Sequence, residues 1–513
     1  MEIKTILSSF ETNGNIFVKG YLFHNGEYVE QKEIISHIEQ SVNKEKFFEQ
    51  LDGSFSIVIT YPDKVDCYVS FDQFNSVYFQ RKNDLLIISD RISVFRECEK
   101  DKQSTEELKS FGFVLGSKTL YNEVFHACGG YHTVIDKEGV KKKKIFTYAI
   151  KKQQLLSSSF QVLKAECKSV FERVFDKMIT SLNGRTAIVP LSGGYDSRLI
   201  LAALIKNKYP NIITFTYGKP DCADVKIAKI IAKALGVEWH YIEYSDGCFE
   251  SELWKKNVLT YVKQNFNGIA SVHLHEVYAI SHLKEKRLIP EDSVIIPGHS
   301  GDFLGGSQFI KVIPRRIKRK NIAKYYIENK SNLTKLKSQI KRKAISEFEK
   351  KVRQSDKDCL PYSIFEDIDC EEKLTKFTLG SSHVFDFLDY SVRFPFWDKL
   401  MLDFFKKLPI ELKLNKLLYD SVCEEYFFKP LGIVFEKELN PTLFDYQLYS
   451  VKELIKKILP CFIRRKLILK NDTVNYLAIT KPLVEHMQKN TKQFKYPCTE
   501  LNAIAARYIA DFL

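Results

Sequence analysis

A chain of 513 residues is too long for one ordinary hydrophobic core and implies two large domains. Its 44% hydrophobic and 28% charged content is that of a globular protein, which excludes a disordered chain, and no apolar run approaches the ~20 residues of a membrane-spanning helix. The net charge of +14 raises a nucleic-acid partner, but 16 Lys and Arg against 3 Glu fall between Lys311 and Arg353 alone, so that partner is disfavoured and a solvated helical insertion over about 311–355 is expected. Eleven cysteines, none in a CxxC pair, read as reduced thiols without a zinc signature. The N-terminal residues lack a basic stretch followed by an apolar core, so the expected location is the cytoplasm.

Residues 1–150 read as short strands and turns. Phe17–Phe23, Ser54–Thr60, Val65–Phe71 and Leu85–Ser89 are the clearest strands, with Asn25-Gly26 and Pro62-Asp63 as turns. The Lys141–Lys144 run is expected to be an exposed turn. A polar connector, Lys151–Ser159, leads to an amphipathic helix over Phe160–Leu182 and then to the stretch TAIVPLSGGYDSRLILAAL at Thr186–Leu204.

That stretch predicts a strand (Ala187–Leu191), a loop of Ser192, Gly193, Gly194, Tyr195, Asp196 and Ser197, and a helix from Arg198. Two glycines let the backbone turn tightly, and the helix N-terminus and the Ser192 and Ser197 hydroxyls converge on one point suited to a polyanion. A bare carboxylate there repels phosphate, so Asp196 implies an intervening divalent cation, magnesium being expected. Further on, Ile212–Gly218 and Trp239–Tyr244 read as strands around a helix at Asp224–Leu235. The alternation predicts a parallel sheet whose ligand lies beyond the strands' carboxyl ends. Val294–Ser307 repeats the pattern of a strand ending in glycines and an acid, which brings Asp302 toward Asp196.

SGGYDS at 192–197 resembles the PP-loop of ATP pyrophosphatases, which cut ATP between the α- and β-phosphates. LDGSFSIVI at 51–59 with FDQFNSVYF at 71–79 is similar to class II glutamine amidotransferase domains, and Pro297–Gly306 resembles the SGEGxDExxGG motif of asparagine synthetases. Arg393 and Asp398 match the ExRxPFLD segment of the same family. The chain is thereby identified as resembling the asparagine synthetase superfamily. The resemblance implies an α/β protein: a layered α+β, Ntn-type amidotransferase-like domain at 1–150 and a PP-loop (adenine nucleotide α-hydrolase-like) parallel-sheet domain at 160–513.

It further implies an ATP- and Mg²⁺-dependent carbon–nitrogen ligase that adenylates a carboxylate. ATP would meet Leu191, Ser192, Gly193, Gly194, Asp196, Ser197, Tyr217, Pro297 and Gly298, with magnesium on Asp196 and Asp302. His299, where asparagine synthetase has glutamate, is a candidate base, and Asp386 or Asp389 is a candidate partner for it. The pyrophosphate-binding lysine of the family is sought among Lys429, Lys466 and Lys470. Position 2 is Glu2, not the amidotransferase cysteine, which implies nitrogen from ammonia, another subunit or an amine.

The expected partners are a small or sugar-linked carboxylate, such as a uronic acid of a surface polysaccharide, and an ammonia or amine donor; a homodimer is one assembly the resemblance allows. Rival readings are a glutamine-hydrolysing asparagine synthase proper, a β-lactam synthetase-like cyclase, a PP-loop tRNA-modifying enzyme and a catalytically silent regulatory subunit.

Overall fold

The computed structural model of the protein describes residues 1–309, 317–435, 459–491 and 500–513. In the first part of the chain, β1 (Glu2–Ile6), β8 (Leu85–Ser89), β7 (Tyr78–Lys82) and β9 (Val124–His126) form one sheet in that order. A second runs β11 (Gly139–Lys144), β10 (Tyr131–Asp136), β6 (Lys64–Val69), β5 (Leu51–Thr60), β3 (Ile16–His24) and β2 (Glu11–Asn13), with β4 (Glu27–Val29) paired to β3.

Strand alternation gives the larger sheet two apolar faces. Val58, Cys67 and Val69 pack with Phe79, Leu86 and Ile88 of the smaller sheet, while Ile57, Ile59 and Tyr68 pack under the helices α1 (Gln31–Gln40) and α2 (Lys44–Glu49). The result is a layered α+β arrangement. Asn25 and Gly26, at φ 52° and 91°, make the primed turn of the β3–β4 hairpin. The Lys141–Lys144 run is not a turn: it is edge strand β11, where charge protects an open edge.

α3 (Lys102–Phe111) falls between β8 and β9 within the strand-rich part, and α4 (Phe160–Thr180) opens the second. The five parallel strands β14 (Glu238–Glu243), β13 (Ile212–Gly218), β12 (Ala187–Pro190), β15 (Val294–Ile295) and β16 (Ser391–Val392) follow in that spatial order. α5 (Tyr195–Lys206) and α6 (Ala223–Leu235) join β12 to β13 to β14, and α7 (Glu252–Asn265) and α8 (Val277–Glu285) precede β15. Central β12 is apolar throughout its first three residues because it is covered on both faces. The chain leaves β12 toward β13 and returns on its other side at β15, so a crevice opens where the strand order reverses.

The two parts are stitched together. The Val114 N–H donates to Ile269 O and the Ser271 N–H to Gly112 O, each at 2.7 Å. In the basic segment, α10 (Ile322–Lys330) and α11 (Ser338–Gln354) bury Tyr326, Ile327, Phe348 and Val352, and Lys351 pairs with the buried Glu371 and Glu372. Residues 311–316 of that segment lie outside the described residues. Among the described residues no helix is long and apolar enough to cross a membrane.

Candidate active site

The loop after β12 is shorter than the sequence predicts, because α5 begins at Tyr195 and takes Asp196 and Ser197 into its first turn. Its N-cap is Gly194, which supplies no side-chain cap, and the first turn of the helix lines the crevice. The Ser192 N–H donates to Ser197 Oγ at 3.1 Å, the two hydroxyl oxygens are 3.2 Å apart, and the Gly194 N–H reaches Ser192 Oγ at 3.2 Å. Two outer groups brace the turn. Asp224 accepts the Gly193 N–H at 2.9 Å, and the fully buried Arg198 donates to Gly193 O at 2.7 Å. Gly193 therefore shapes the loop and does not line the cavity.

The loop after β15 lies hard against this turn. A Cβ on Gly298 would stand 2.8 Å from Ser197 N, and one on Gly301 would stand 2.5 Å from Asp196 Cγ and 2.6 Å from the Tyr419 hydroxyl. Only glycine permits that approach. It positions α9 (Gly301–Leu304) so that the Asp302 N–H donates to Asp196 Oδ2 at 2.8 Å, while the Tyr419 hydroxyl donates to Oδ1 at 2.9 Å. Burial and then the neighbouring Asp302 carboxylate push Asp196 up to about 7, with Lys416 opposing. Two adjacent carboxylates in the first turns of the helices that follow β12 and β15, one of them held uncomfortable as an anion, suit a divalent cation shared with phosphate oxygens.

These groups line one cavity of about 360 Å³. It brings together Leu191, Ser192, Gly194, Asp196, Ser197, Tyr217, Pro297, Gly298, His299 and Asp302. Its inner wall, with Phe215, Tyr217 and Val474, is apolar, and the Tyr217 hydroxyl is fixed on Glu276 Oε1 at 2.8 Å.

The four expected catalytic residues fare differently. His299 lines the cavity, but its Nδ1 lies 2.9 Å from Ser382 Oγ and its Nε2 3.2 Å from Ser381 Oγ. Ser381 already donates to Thr378 O at 2.7 Å, so it accepts from Nε2–H and leaves Nδ1 to accept from Ser382. Burial lowers the His299 pKa, so a neutral ring with both nitrogens engaged sits where a free base was expected. Asp389 is not its partner: it is exposed, at φ 68°, and bound by Lys284 at 3.1 Å. Asp386 stands beside His383 at a different cavity. Lys429, Lys466 and Lys470 are exposed and line no part of this cavity.

The lysine that does reach it is Lys416, which sequence reasoning missed. Asn415 and Lys416 both adopt left-handed backbone, at φ 56° each, and the Lys416 stem packs where a Cβ on Gly305 would be. Burial works against its charge, but Asp420, Asp196 and Asp302 overcome this and hold its pKa above the ordinary value. Glu276, Asp224 and Tyr419 were missed as well. The glycines at 305 and 306 were the available signal, since each marks a close approach by the Lys413–Lys416 backbone or side chain.

With this geometry in view, residues 185–368 match the asparagine synthase family model. This part of the chain is similar to the asparagine synthase family. The chain is 27% identical over 208 residues to asparagine synthetase [glutamine-hydrolyzing] 1 of Bacillus subtilis, covering 38% of this chain and 31% of that protein. It is 24% identical over 303 residues to the microcin J25-processing protein McjC of Escherichia coli, covering 58% of this chain and 56% of that one. The chain thus spans about a third and just over half of these curated relatives. A solved glutamine phosphoribosylpyrophosphate amidotransferase from B. subtilis covers 56% of this chain and 63% of its own at 10% identity, with a TM-score of 0.18, too low to argue from. The match to the asparagine synthase family takes in both cavity loops, from Leu191 to Asp302.

Proposed function

We propose that the protein is an ATP-dependent amide-forming ligase that joins a carboxylate to a nitrogen nucleophile through an acyl-adenylate. The observation that carries this reading is the meeting of Asp196 and Asp302 beside the α5 N-terminus at the mouth of a cavity of about 360 Å³. A carboxylate oxygen of the acceptor attacks the α-phosphorus, the bond to the β-phosphate oxygen breaks, and pyrophosphate leaves. Nitrogen then attacks the activated carbonyl, the carbon–oxygen bond to AMP breaks, and the nitrogen loses a proton.

Ser192, Ser197 and the first turn of α5 hold the departing pyrophosphate, and Lys416 neutralises its growing charge. Tyr217, Phe215 and Pro297 receive the base. Asp196 and Asp302 would hold magnesium, which supplies Lewis-acid polarisation of the phosphate oxygens when bound. Placing ATP and acid side by side makes the first attack effectively unimolecular.

Nitrogen comes from ammonia or a substrate amine on this reading. Cys67 is fully buried between the two sheets, and burial pushes its thiol up, away from the reactive thiolate. The match to a microcin-processing protein over a longer stretch than to the asparagine synthetase supports an acceptor other than free aspartate.

ATP–pyrophosphate exchange across a panel of amino acids, peptides and uronic acids tests the reading. Exchange with one class of acid, abolished by Asp302→Asn, is expected. Failure of every acid together with failure to bind ATP would reject the ligase.

A further inference from the structure

A second cavity, of about 390 Å³, shares Asp302 with the nucleotide cavity. Its size is that of a site for a small ligand or a peptide end. Its wall is aromatic, with Phe111, Phe113, Phe303, Phe365 and Phe377. The Phe113 ring lies 5.7 Å from Phe111 and 6.5 Å from Phe377. Into this wall is set Asp369, which is 1% exposed. Its Oδ2 accepts from Lys330 at 2.7 Å, while its Oδ1, among the described residues, has no hydrogen-bond partner.

A buried carboxylate oxygen without a donor keeps its desolvation cost uncompensated, and a ligand N–H would recover that cost. Among the described residues the remaining charged groups of the wall are Lys330, Lys373, Glu500 and Asp302, so that with Asp369 three acids face two lysines. An ammonium is favoured twice, by the carboxylates and by aromatic faces around it. A sugar acid offers neither a cation for Asp369 nor an apolar body for five phenyl rings.

We propose, building on the ligase reading, that this cavity is the acceptor site and that it takes an amine-bearing carboxylate with an apolar body. That class is an amino acid or a peptide end whose ammonium donates to Asp369 while its carboxyl group reaches Asp302. Two of the rings come from the strand-rich first part of the chain. Phe111 closes α3 and Phe113 follows it, held in place by the Ser271 N–H to Gly112 O and Val114 N–H to Ile269 O bonds. The amidotransferase-like part thus has a task that needs no cysteine: it supplies one side of the acceptor pocket.

The test is ligand-observed NMR titration of the full chain with phenethylamine and its neutral isostere 2-phenylethanol. Binding of α,β-methylene-ATP with magnesium is measured in the same samples. Phenethylamine is expected to bind at least about ten-fold more tightly than the alcohol. Asp369→Asn is expected to erase that preference and Phe377→Ala to weaken both compounds, with nucleotide affinity unchanged in each variant.

Absence of phenethylamine binding while the nucleotide binds, equal binding of the two compounds, or a preference that survives Asp369→Asn would overturn the proposal. Should Asp369→Asn fail to fold, Phe377→Ala decides, since unchanged phenethylamine affinity in that variant would also overturn it. If the nucleotide fails to bind but the Asp369-dependent preference is seen, the amine site stands and the ligase reading falls.

Discussion

Gly298 and Gly301 show how single residues set the chemistry. Each stands where a methyl group would strike the PP-loop turn, so the two loops meet as closely as backbone allows. Gly301→Ala is expected to force Asp196 and Tyr419 apart, costing about 1–3 kcal/mol of stability by overpacking and most of the nucleotide affinity. Thermal melting and nucleotide titration of that variant check this together.

Lys416→Ala is expected to lower the exchange rate by roughly 10²-fold or more with little change in melting temperature, as loss of a charge-stabilising donor does. Lys429→Ala and Lys466→Ala should leave the rate unaltered. At this scale the sequence pointed to Asp196 and Asp302 meeting, because each follows an apolar strand and two glycines, adjacent at 193 and 194 and spaced at 298 and 301. Lys416 was illegible because its placement depends on two successive left-handed residues and on contact with Gly305, more than a hundred positions earlier.

Among elements, the β12–α5–β13–α6–β14 alternation was readable because each piece is long enough to show its own period. The two-residue strands β15 and β16 carry no period, and only the glycine-acid run after β15 marked it. The basic segment is helical with most of its described lysines exposed, as its charge suggests. A few are drawn inward by acids elsewhere in the chain, as Lys330 is by Asp369 and Lys351 by Glu372 at 3.2 Å.

The same device occurs at Lys413, which donates to Glu366 at 2.9 and 3.0 Å with both side chains fully buried. Gln308 adds a third bond to that carboxylate at 2.7 Å. Lys413→Met leaves Glu366 buried without its cation and is expected to cost about 3–5 kcal/mol in denaturant unfolding. Replacing both partners by apolar residues should cost far less.

The whole molecule is held together across its two parts by a buried charge cluster. Lys177 of α4 pairs with Asp52 of β5 and, at 2.7 Å, with Asp398, while the Lys399 N–H donates to Asp52 at 3.2 Å. Arg393 joins them, donating to Ser181 Oγ at 2.8 Å with its guanidinium over the Tyr21 ring.

Burial and then Asp52 push Asp398 up to about 7 against Lys177. The folded value lies above the unfolded one, so this group's contribution is full below about pH 4 and is lost as pH rises through about 7. Lys177→Ala is therefore expected to destabilise by about 3–5 kcal/mol near neutral pH and by less at pH 5. Unfolding curves at pH 5 and pH 8 for wild type, Lys177→Ala and Asp398→Asn check the sign, the last variant having the flattest dependence.

The claim on which the account depends is that the Asp196–Asp302 cavity binds a nucleotide triphosphate. Calorimetric titration of the intact protein with α,β-methylene-ATP in magnesium measures it. Binding to one site, weakened at least about ten-fold by Asp196→Asn and by Ser192→Ala with Ser197→Ala, is the predicted result. Absence of binding, or binding indifferent to these substitutions, would contradict it.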